Sequence, residues 1–338
     1  MPIARRLFSA IVLGLTLFGL ALCGMATAQE TPPTNAEPIK PAKPAGRIVV
    51  ERWRFGYTLT AQGTAYRGIQ LTKTIPMDWL EQRVQVVEED FSPGVTVRYR
   101  NVEGAARQMA IQIPSLAAGR PARAVVTLEI KRFLPDPPAD TAGFTIPQGA
   151  KSDPKLADYL KPSPMIESDR IEIRSAAAEV ADKESGAWRK AEAIYDWVRK
   201  KIRYEYSDEV KGAYAGMVDG VGDCDEMTCL FIAMCRSQGI PARTVRLPGH
   251  CYPEFYLVDA QGRGRWFPCQ AAGTRAFGGM FDSRPILQKG DNLSVVDVHS
   301  KKPTKFRFLP ETQIATPLGS QQGDLGLKMV SEKVKDEQ

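Results

Sequence analysis

The sequence predicts an α+β protein in which a β-sandwich precedes a region of mixed helices and strands. Between about Arg47 and Phe133, apolar residues recur at every second position in several short segments, which is typical of half-buried strands. Beyond residue 150 the spacing changes to three or four residues, as in Trp188, Ala191 and Ile194, which indicates an amphipathic helix. The change of period along the chain favours an α+β architecture.

The first 28 residues have the features of a secretory signal peptide. Arg5 and Arg6 precede an apolar run from Leu7 to Leu22, and Ala26-Thr27-Ala28 supplies the small residues of a cleavage site. We therefore expect residues 1–28 to be removed and the protein to be exported, to the periplasm or the exterior of a bacterium. The alternative is an uncleaved membrane anchor, which the shortness of the apolar run disfavours.

Residues 29–46 are rich in proline, alanine and lysine, which predicts a mobile linker.

Composition excludes several other classes of protein. Removal of Arg5 and Arg6 with the signal lowers the formal charge from +6 to +4, too weak a charge to indicate nucleic acid or an anionic membrane as partner. No later apolar stretch is long enough to span a bilayer, and no phosphate-binding or dinucleotide fingerprint predicts a cofactor.

Two domains are expected in the exported chain. Residues 47–150 are predicted to form the β-sandwich, with alternating segments such as Trp53, Phe55 and Tyr57. A proline-rich passage then leads to a second domain at residues 155–312. Residues 313–338 are polar and rich in glycine, which predicts a disordered tail.

The second domain has helix signals followed by strand signals. The charged face of the helix near residues 188–202, which includes Arg199, is expected to be solvated. Another helix is predicted from about Cys224 to Gln238, because Gly239 and a following proline end it. Two strands, His250–Val258 and Arg265–Cys269, flank a turn at residues 259–264.

Cysteines are concentrated in this second domain. The five that remain after signal cleavage lie within 46 residues: Cys224, Cys229, Cys235, Cys251 and Cys269. An odd number leaves at least one thiol unpaired in an oxidising compartment, where pairing is the default. Their spacing lacks the paired-ligand pattern of structural zinc sites, so no metal is predicted.

Cys224 has the sequence environment of a nucleophile. It begins the predicted helix, where unsatisfied N–H groups and the helix dipole favour a thiolate, although Asp223 and Asp225 oppose this effect. The exported chain contains two histidines, and His250 follows Cys224 by 26 residues in the same region. The alternative is that both are ordinary core residues.

At this point the residues resemble a known family. The segments Gly222-Asp223-Cys224-Asp225-Glu226, Gly239-Ile240-Pro241-Ala242-Arg243 and Gly249-His250-Cys251-Tyr252-Pro253-Glu254 are similar to signatures of bacterial transglutaminase-like domains. The resemblance covers about Asp169 to Ala272. It implies a papain-like core, in which a nucleophile helix packs on an antiparallel sheet, with Cys224 as nucleophile and His250 as base.

The third catalytic position departs from the family pattern. Trp266-Phe267-Pro268-Cys269-Gln270 places glutamine where the family has aspartate. The side-chain carbonyl of Gln270 can accept the Nδ1–H of His250, but it cannot stabilise an imidazolium by charge. Asp259 and Asp282 are conceivable substitutes, although neither has the expected spacing.

These observations predict an exported cysteine-dependent acyl transferase or amide hydrolase with a protein or peptide substrate. Cys224, His250 and Gln270 are the expected catalytic residues, and water or an amine would resolve the thioester. The alternative is a catalytically weak or inactive binding or scaffold protein with the same fold, which Gln270 favours.

Strand alternation adds a prediction about two other cysteines. A register that sets His250 opposite Gln270 also sets Cys251 opposite Cys269, on the reverse face of the sheet. We therefore expect these two thiols to be neighbours, either packed or bonded, and to point away from the active site. The turn at residues 259–264 is centred slightly late for this register.

Overall fold

Strands dominate the first hundred residues of the computed structural model, which describes residues 45–297, 300–319 and 323–335. The predicted signal peptide, most of the predicted linker and the second histidine of the chain, His299, lie outside the described residues. Six strands come first: β1 (Gly46–Gln62), β2 (Ala65–Ile75), β3 (Gln82–Phe91), β4 (Thr96–Val102), β5 (Ala106–Leu116) and β6 (Pro121–Pro135).

Helices and short strands alternate in the rest of the chain. A 3-10 turn at Ala157–Leu160 precedes the helices α1 (Ile171–Ala181), α2 (Ala187–Lys201), α3 (Ala213–Asp219) and α4 (Cys224–Ser237). The remaining strands are β7 (Arg203–Tyr204), β8 (Val221–Gly222), β9 (Ala242–Leu247), β10 (His250–Val258), β11 (Gly264–Gln270), β12 (Ala276–Phe277), β13 (Gln288–Lys289), β14 (Leu293–Val296), β15 (Pro303–Phe306), β16 (Gln313–Leu318) and β17 (Asp324–Lys333). No helix within the described ranges is long and apolar enough to cross a membrane.

The first strands form a β-sandwich. One sheet has the order β17-β1-β6-β3, and β2, β4, β5 and β16 belong to a second sheet. Inward side chains of both sheets share one core, and the alternating residues Phe55, Tyr57 and Leu59 of β1 are at most 1% exposed within it. The period-two pattern of the sequence therefore corresponds to the buried face of this sandwich.

A second core lies between the helices and strands β10 and β11. Trp188 of α2 packs edge-on against Phe267, with ring centroids 5.1 Å apart, and Phe255 stacks on Phe277 at 4.9 Å. Every residue from Glu226 to Arg236 of α4 is buried, because this helix is surrounded by α1, α2, α3 and the sheet. The predicted α+β class, a β-sandwich followed by a helix packed on antiparallel strands, is confirmed.

One sheet extends through both regions. Its order is β12-β11-β10-β9-β13-β5-β2-β16, so short strand β13 joins the site-bearing strands to the sandwich. Gln288 of β13 pairs with Arg246 of β9 on one side and with Ala106 of β5 on the other. The two predicted regions are therefore connected by main-chain hydrogen bonds.

The prediction of a disordered tail at residues 313–338 is wrong for most of that segment. Strand β16 pairs with β2, and β17 pairs with β1 from Trp53↔Lys333 to Gln62↔Asp324. Leu325 and Leu327 pack against the sandwich core. The alternation of these leucines with polar residues is typical of a strand. Although the segment is polar, it is ordered because β16 and β17 pair with the edges of β2 and β1.

Candidate active site

Cys224 is the first residue of α4, and the turn before it is fixed by a reciprocal cap. The Asp223 carboxylate accepts a hydrogen bond from the Asp225 N–H at 2.7 Å, and Glu226 Oε2 accepts from the Asp223 N–H at 2.9 Å. These bonds satisfy donors that a helix start leaves unpaired. The backbone that carries the Cys224 thiol is therefore held in one conformation.

Glycine is required immediately before this turn. Gly222 belongs to β8, which pairs with β7 in parallel. A Cβ at residue 222 would lie 2.6 Å from the Cβ of Glu226, a distance that no real pair of such atoms tolerates. Glycine thus permits the close approach of β8 to the first turn of α4.

His250 is positioned by a two-residue turn between β9 and β10. It pairs with Leu247 across Pro248 and Gly249, and Gly249 has a φ of 64°. This left-handed conformation favours glycine at the second turn position, and proline suits the first. His250 is therefore the first residue of its strand, at the end of β10 nearest Cys224.

Gln270 lies beside the histidine ring, as expected, but contacts the other nitrogen. Its Oε1 lies 3.1 Å from His250 Nε2, not from Nδ1 as predicted. Because a carbonyl oxygen only accepts, this contact assigns the proton to Nε2. Nδ1 is left free of this contact and can interact with Cys224, which raises the pKa of His250.

The backbone of Gln270 is held by α2. The Tyr195 hydroxyl donates to the Gln270 carbonyl at 2.8 Å, and Arg199 donates to it at 3.1 Å and to the Ala271 and Gly273 carbonyls at 2.8 and 2.7 Å. Arg199 was expected on a solvated face. It instead orders the loop that follows β11, so α2 positions the partner of the histidine.

The two carboxylates considered as substitutes for Gln270 have other partners. Asp259 belongs to the turn between β10 and β11 and pairs with Arg263 at 2.9 Å. Asp282 is bound by Arg284, with Oδ1 and Oδ2 each 3.1 Å from Nε. Among these candidates, Gln270 is therefore the one that contacts the imidazole.

The electrostatics of the pair favour a thiolate and an imidazolium. The neighbouring Cys251 side chain, His250 and the Cys251 N–H outweigh burial and lower the pKa of Cys224 to about 5. Burial disfavours the charged imidazole, but the bond to Cys224 and the charge of its thiolate raise the pKa of His250 above its ordinary value. The ion pair is thus expected above about pH 5, and it should persist beyond pH 6.5, the ordinary pKa of a histidine side chain.

Two neighbouring carboxylates were expected to oppose the thiolate. The charge of Asp225 is balanced by an ion pair with Arg307, the residue that follows β15. Burial, together with the charges of Cys224, Asp225 and Glu226, raises the pKa of Asp223 to about 6. Nothing in the sequence pattern indicates Arg307, which lies 82 residues beyond its partner.

Cys251 was predicted to point away from the site and to face Cys269, and both parts of that prediction are wrong. Its Sγ lies 3.4 Å from the Cys224 carbonyl oxygen. Strands β10 and β11 pair Glu254 with Pro268, a register displaced by two residues from the predicted one. All five described cysteines are free thiols, and Cys269 contacts the Pro253 carbonyl instead.

Cys224 Sγ, a carboxylate oxygen of Asp225 and Cys251 Sγ all lie within 4.8 Å of one another. These are donors that can ligate a metal ion. However, the buried Arg307 guanidinium pairs with Asp225 and also contacts Cys251 Sγ at 3.4 Å. A cation here would meet a fixed positive charge, so the arrangement favours thiol chemistry.

A cleft of about 590 Å³ borders the histidine and the glutamine. Its lining combines aromatic, apolar and basic side chains: Tyr204, Met227, Ala272, Arg199, Arg203 and Arg284. Pockets of this size hold a ligand of a few residues. The cleft therefore gives a ligand of this size access to His250 and Gln270.

A buried ion network lies on the same strand as His250. Glu254 accepts from Lys289 at 2.7 Å and from Arg243 Nε at 2.8 Å, and it is 3% exposed. Burial opposes its ionisation, but the two cations hold the pKa of Glu254 at about 2. Lys289 also pairs with Glu81, so the network joins β10 to the segment before β3.

Comparison with known proteins gives one family match. The model of the transglutaminase-like superfamily matches residues 174–271 of the chain. This range contains the cysteine, the histidine and the glutamine described above. It extends from within α1 to the residue after β11.

An uncharacterized protein of Haemophilus influenzae is 27% identical over 136 residues. The match spans 38% of this chain and 36% of the length of that relative.

A solved structure is similar in fold. A candidate cysteine protease from Cytophaga hutchinsonii aligns with a TM-score of 0.54 and 14% identity, covering 86% of this chain and 94% of that one. The periplasmic domain of TgpA from Pseudomonas aeruginosa, bound to ethylmercury, aligns over 63% of this chain and 88% of its own with a TM-score of 0.31 and 11% identity. The first similarity supports the fold and the second adds nothing to that argument.

Proposed function

We propose that the chain is an exported cysteine-dependent amide hydrolase or acyl transferase acting on peptides or proteins. The match of residues 174–271 to the transglutaminase-like superfamily supports this proposal. The observation that carries this proposal is the connected series of Cys224, His250 and Gln270. A thiol with a lowered pKa, a base that contacts it and a group that orients the base are the components of nucleophilic catalysis.

The first half of the reaction acylates the enzyme. Cys224 thiolate attacks the carbonyl carbon of a substrate amide, and the carbonyl electrons move to the oxygen. The main-chain N–H of Cys224, which the helix cap does not use, can stabilise this oxyanion. Collapse of the tetrahedral intermediate expels the amine, which takes a proton from His250 and leaves a thioester on Cys224.

The second half releases the acyl group. His250, now neutral, accepts a proton from an incoming water or amine, whose oxygen or nitrogen attacks the thioester. Water gives a carboxylic acid, and an amine gives a new amide; Cys224 leaves as the thiolate in both cases. We favour hydrolysis or peptide processing over cross-linking, because the resemblance to bacterial domains of this family points that way.

Gln270 acts by orientation. Its contact with Nε2 keeps the other imidazole nitrogen directed at the thiol, and the anchored backbone of Gln270 limits its own movement. A neutral amide does not add charge stabilisation to the imidazolium. The low pKa of Cys224 therefore depends on the Cys251 thiol, the Cys251 N–H group and the His250 imidazole.

A binding or scaffold protein is the second candidate, favoured by the absence of a carboxylate at residue 270. The two candidates differ in a simple measurement. An acyl transferase forms a thioester on Cys224 and turns over, whereas a scaffold binds a peptide without chemical change.

The test is peptide-library profiling with the mature protein, with cleavage and acyl transfer to an added amine followed by mass spectrometry. Cys224→Ala is expected to abolish product while the melting temperature stays nearly unchanged. The matched control is Cys235→Ala, which removes a buried thiol from the same helix about 16 Å away. Activity of Cys224→Ala within about tenfold of the wild type would show that the nucleophile is misassigned.

A further inference from the structure

A second thiol lies directly against the proposed nucleophile. Cys251 Sγ is within 4.8 Å of Cys224 Sγ, and it lies 3.4 Å from the Cys224 carbonyl oxygen and 3.3 Å from Asp225 Oδ1. Cys251 is 2% exposed. A peptide substrate therefore cannot reach it, and attack on an external carbonyl does not explain its position.

The remaining described cysteines lack this combination of features. Cys229, Cys235 and Cys269 are wholly buried, and burial raises the pKa of each thiol. Cys224 is only partly buried and is the most acidic of the five. One reactive thiolate with an adjacent protected thiol is the arrangement typical of cysteines that respond to oxidants.

The charges around Cys251 favour its participation. Arg307 Nη2 donates to Cys251 Sγ at 3.4 Å, and Asp225 Oδ1 accepts from the same thiol. The guanidinium stabilises negative charge that develops on this sulfur, and the carboxylate provides a place for its proton. Burial raises the pKa of the Cys251 thiol well above its ordinary value, and the guanidinium offsets part of that effect.

We propose that Cys224 and Cys251 form a reversible dithiol–disulfide pair that responds to peroxides. The Cys224 thiolate attacks a peroxide oxygen, the O–O bond breaks, and hydroxide leaves; the sulfur is oxidised to sulfenic acid while the peroxide is reduced. Cys251 sulfur then attacks the Cys224 sulfur, the S–O bond breaks, and the proton lost by Cys251 leaves with the hydroxyl group as water.

The movement needed for the second step is small. The two sulfurs must approach from within 4.8 Å to about 2.05 Å, a change of less than about 3 Å. The bond would connect the first residue of α4 to β10. It would block the nucleophile, and it would also protect Cys224 from further oxidation, which a thiol reductant cannot reverse.

This inference uses the reactivity of Cys224 but not its proposed reaction. Disulfide formation is read by mass and needs no substrate. A protein that bonds Cys224 to Cys251 but hydrolyses no peptide would contradict the proposed function alone. A protein that hydrolyses peptides but never forms the bond would contradict this inference alone.

The experiment treats the reduced full chain with a small excess of hydrogen peroxide and maps its peptides without reduction. The expected product is a linked pair of peptides carrying Cys224 and Cys251, lighter by two hydrogens than the free pair, with full recovery of both thiols after dithiothreitol. Cys251→Ser and Cys251→Ala should instead gain two or three oxygens at Cys224, and dithiothreitol should not remove them. Cys235→Ala, the matched control, should behave as the wild type.

Two results would overturn the proposal. One is wild-type protein that acquires sulfinic or sulfonic acid at Cys224 while Cys251 stays free. The other is linkage of Cys224 to a cysteine other than Cys251. Circular dichroism of both Cys251 variants establishes that they are folded, and the use of two substitutions guards against a defect specific to one of them.

Discussion

Removal of the Cys251 thiol should make the Cys224 thiol less acidic. The Cys251 side chain, whose Sγ lies within 4.8 Å of Cys224 Sγ, is the largest of the influences that lower the pKa of Cys224 to about 5. A hydrogen bond to a charged group contributes about 1.5–3 kcal/mol, and 1.36 kcal/mol corresponds to a pKa difference of one. Cys251→Ala should therefore raise the pKa of Cys224 by about 1–2, to about 6–7.

The assay is the rate of alkylation by iodoacetamide as a function of pH, because the thiolate is the species that reacts. The wild-type midpoint should lie near pH 5 and that of Cys251→Ala about 1–2 pH units higher. Cys251→Ser keeps a hydrogen-bond donor and should restore most of the difference. Asp223 also titrates near pH 6, so the comparison is repeated with Asp223→Asn, which keeps a good helix cap.

One outcome would refute this reasoning. If Cys251→Ala moves the midpoint by less than about half a pH unit while Cys235→Ala remains at the wild-type value, the Cys251 thiol does not stabilise the thiolate. The acidity would then come from His250 and the start of α4.

Three further perturbations have defined outcomes. Glu254→Ala leaves Lys289 buried without that partner and should lower the free energy of unfolding by about 3–5 kcal/mol in urea titrations; Glu254→Gln should cost less if the pair is mainly a packing feature. The pKa of Glu254 is lowered from 4.5 to about 2. The stabilisation of the fold by the Glu254 carboxylate should therefore be complete above about pH 4.5 and disappear as the pH falls towards 2. Thermal melts of the wild type and Glu254→Gln across this pH range measure the difference. Gln270→Ala should lower kcat by more than about tenfold with little change in melting temperature, and equal losses of activity and stability would contradict an orienting role. Gly222→Ala should reduce both the melting temperature and the alkylation rate, because the added Cβ collides with the first turn of α4.

The positions of the elements could be predicted from local patterns, and their pairing could not. Strand β10 has the predicted bounds, and α4 begins at the predicted residue, because glycine, proline and periodicity are local signals. The register of β10 and β11 differs by two residues from the prediction, since the pair closes at Val258↔Gly264. A shift of two leaves every side chain on the same face of its strand, so the hydrophobic pattern does not distinguish the two registers.

In the candidate site, too, local motifs could be recognised from the sequence and contacts between distant segments could not. Cys224, His250 and Gln270 could be selected from sequence because each lies in a local motif. The contribution of Cys251 depends on how α4 packs on β10, and that of Arg307 on a chain segment 82 residues beyond Asp225. Neither follows from spacing, because tertiary packing decides both.

The main-chain bonds through β13 limit how this chain could have been assembled in evolution. Recombination between residues 150 and 155 would separate the site-bearing half from β5 and would leave one side of Gln288 unpaired. It would also separate Lys289 from Glu81. An open strand edge promotes association with other chains, so a transplanted site-bearing half would need a new neighbour to cover β13. Inheritance of the two halves as one unit avoids that requirement.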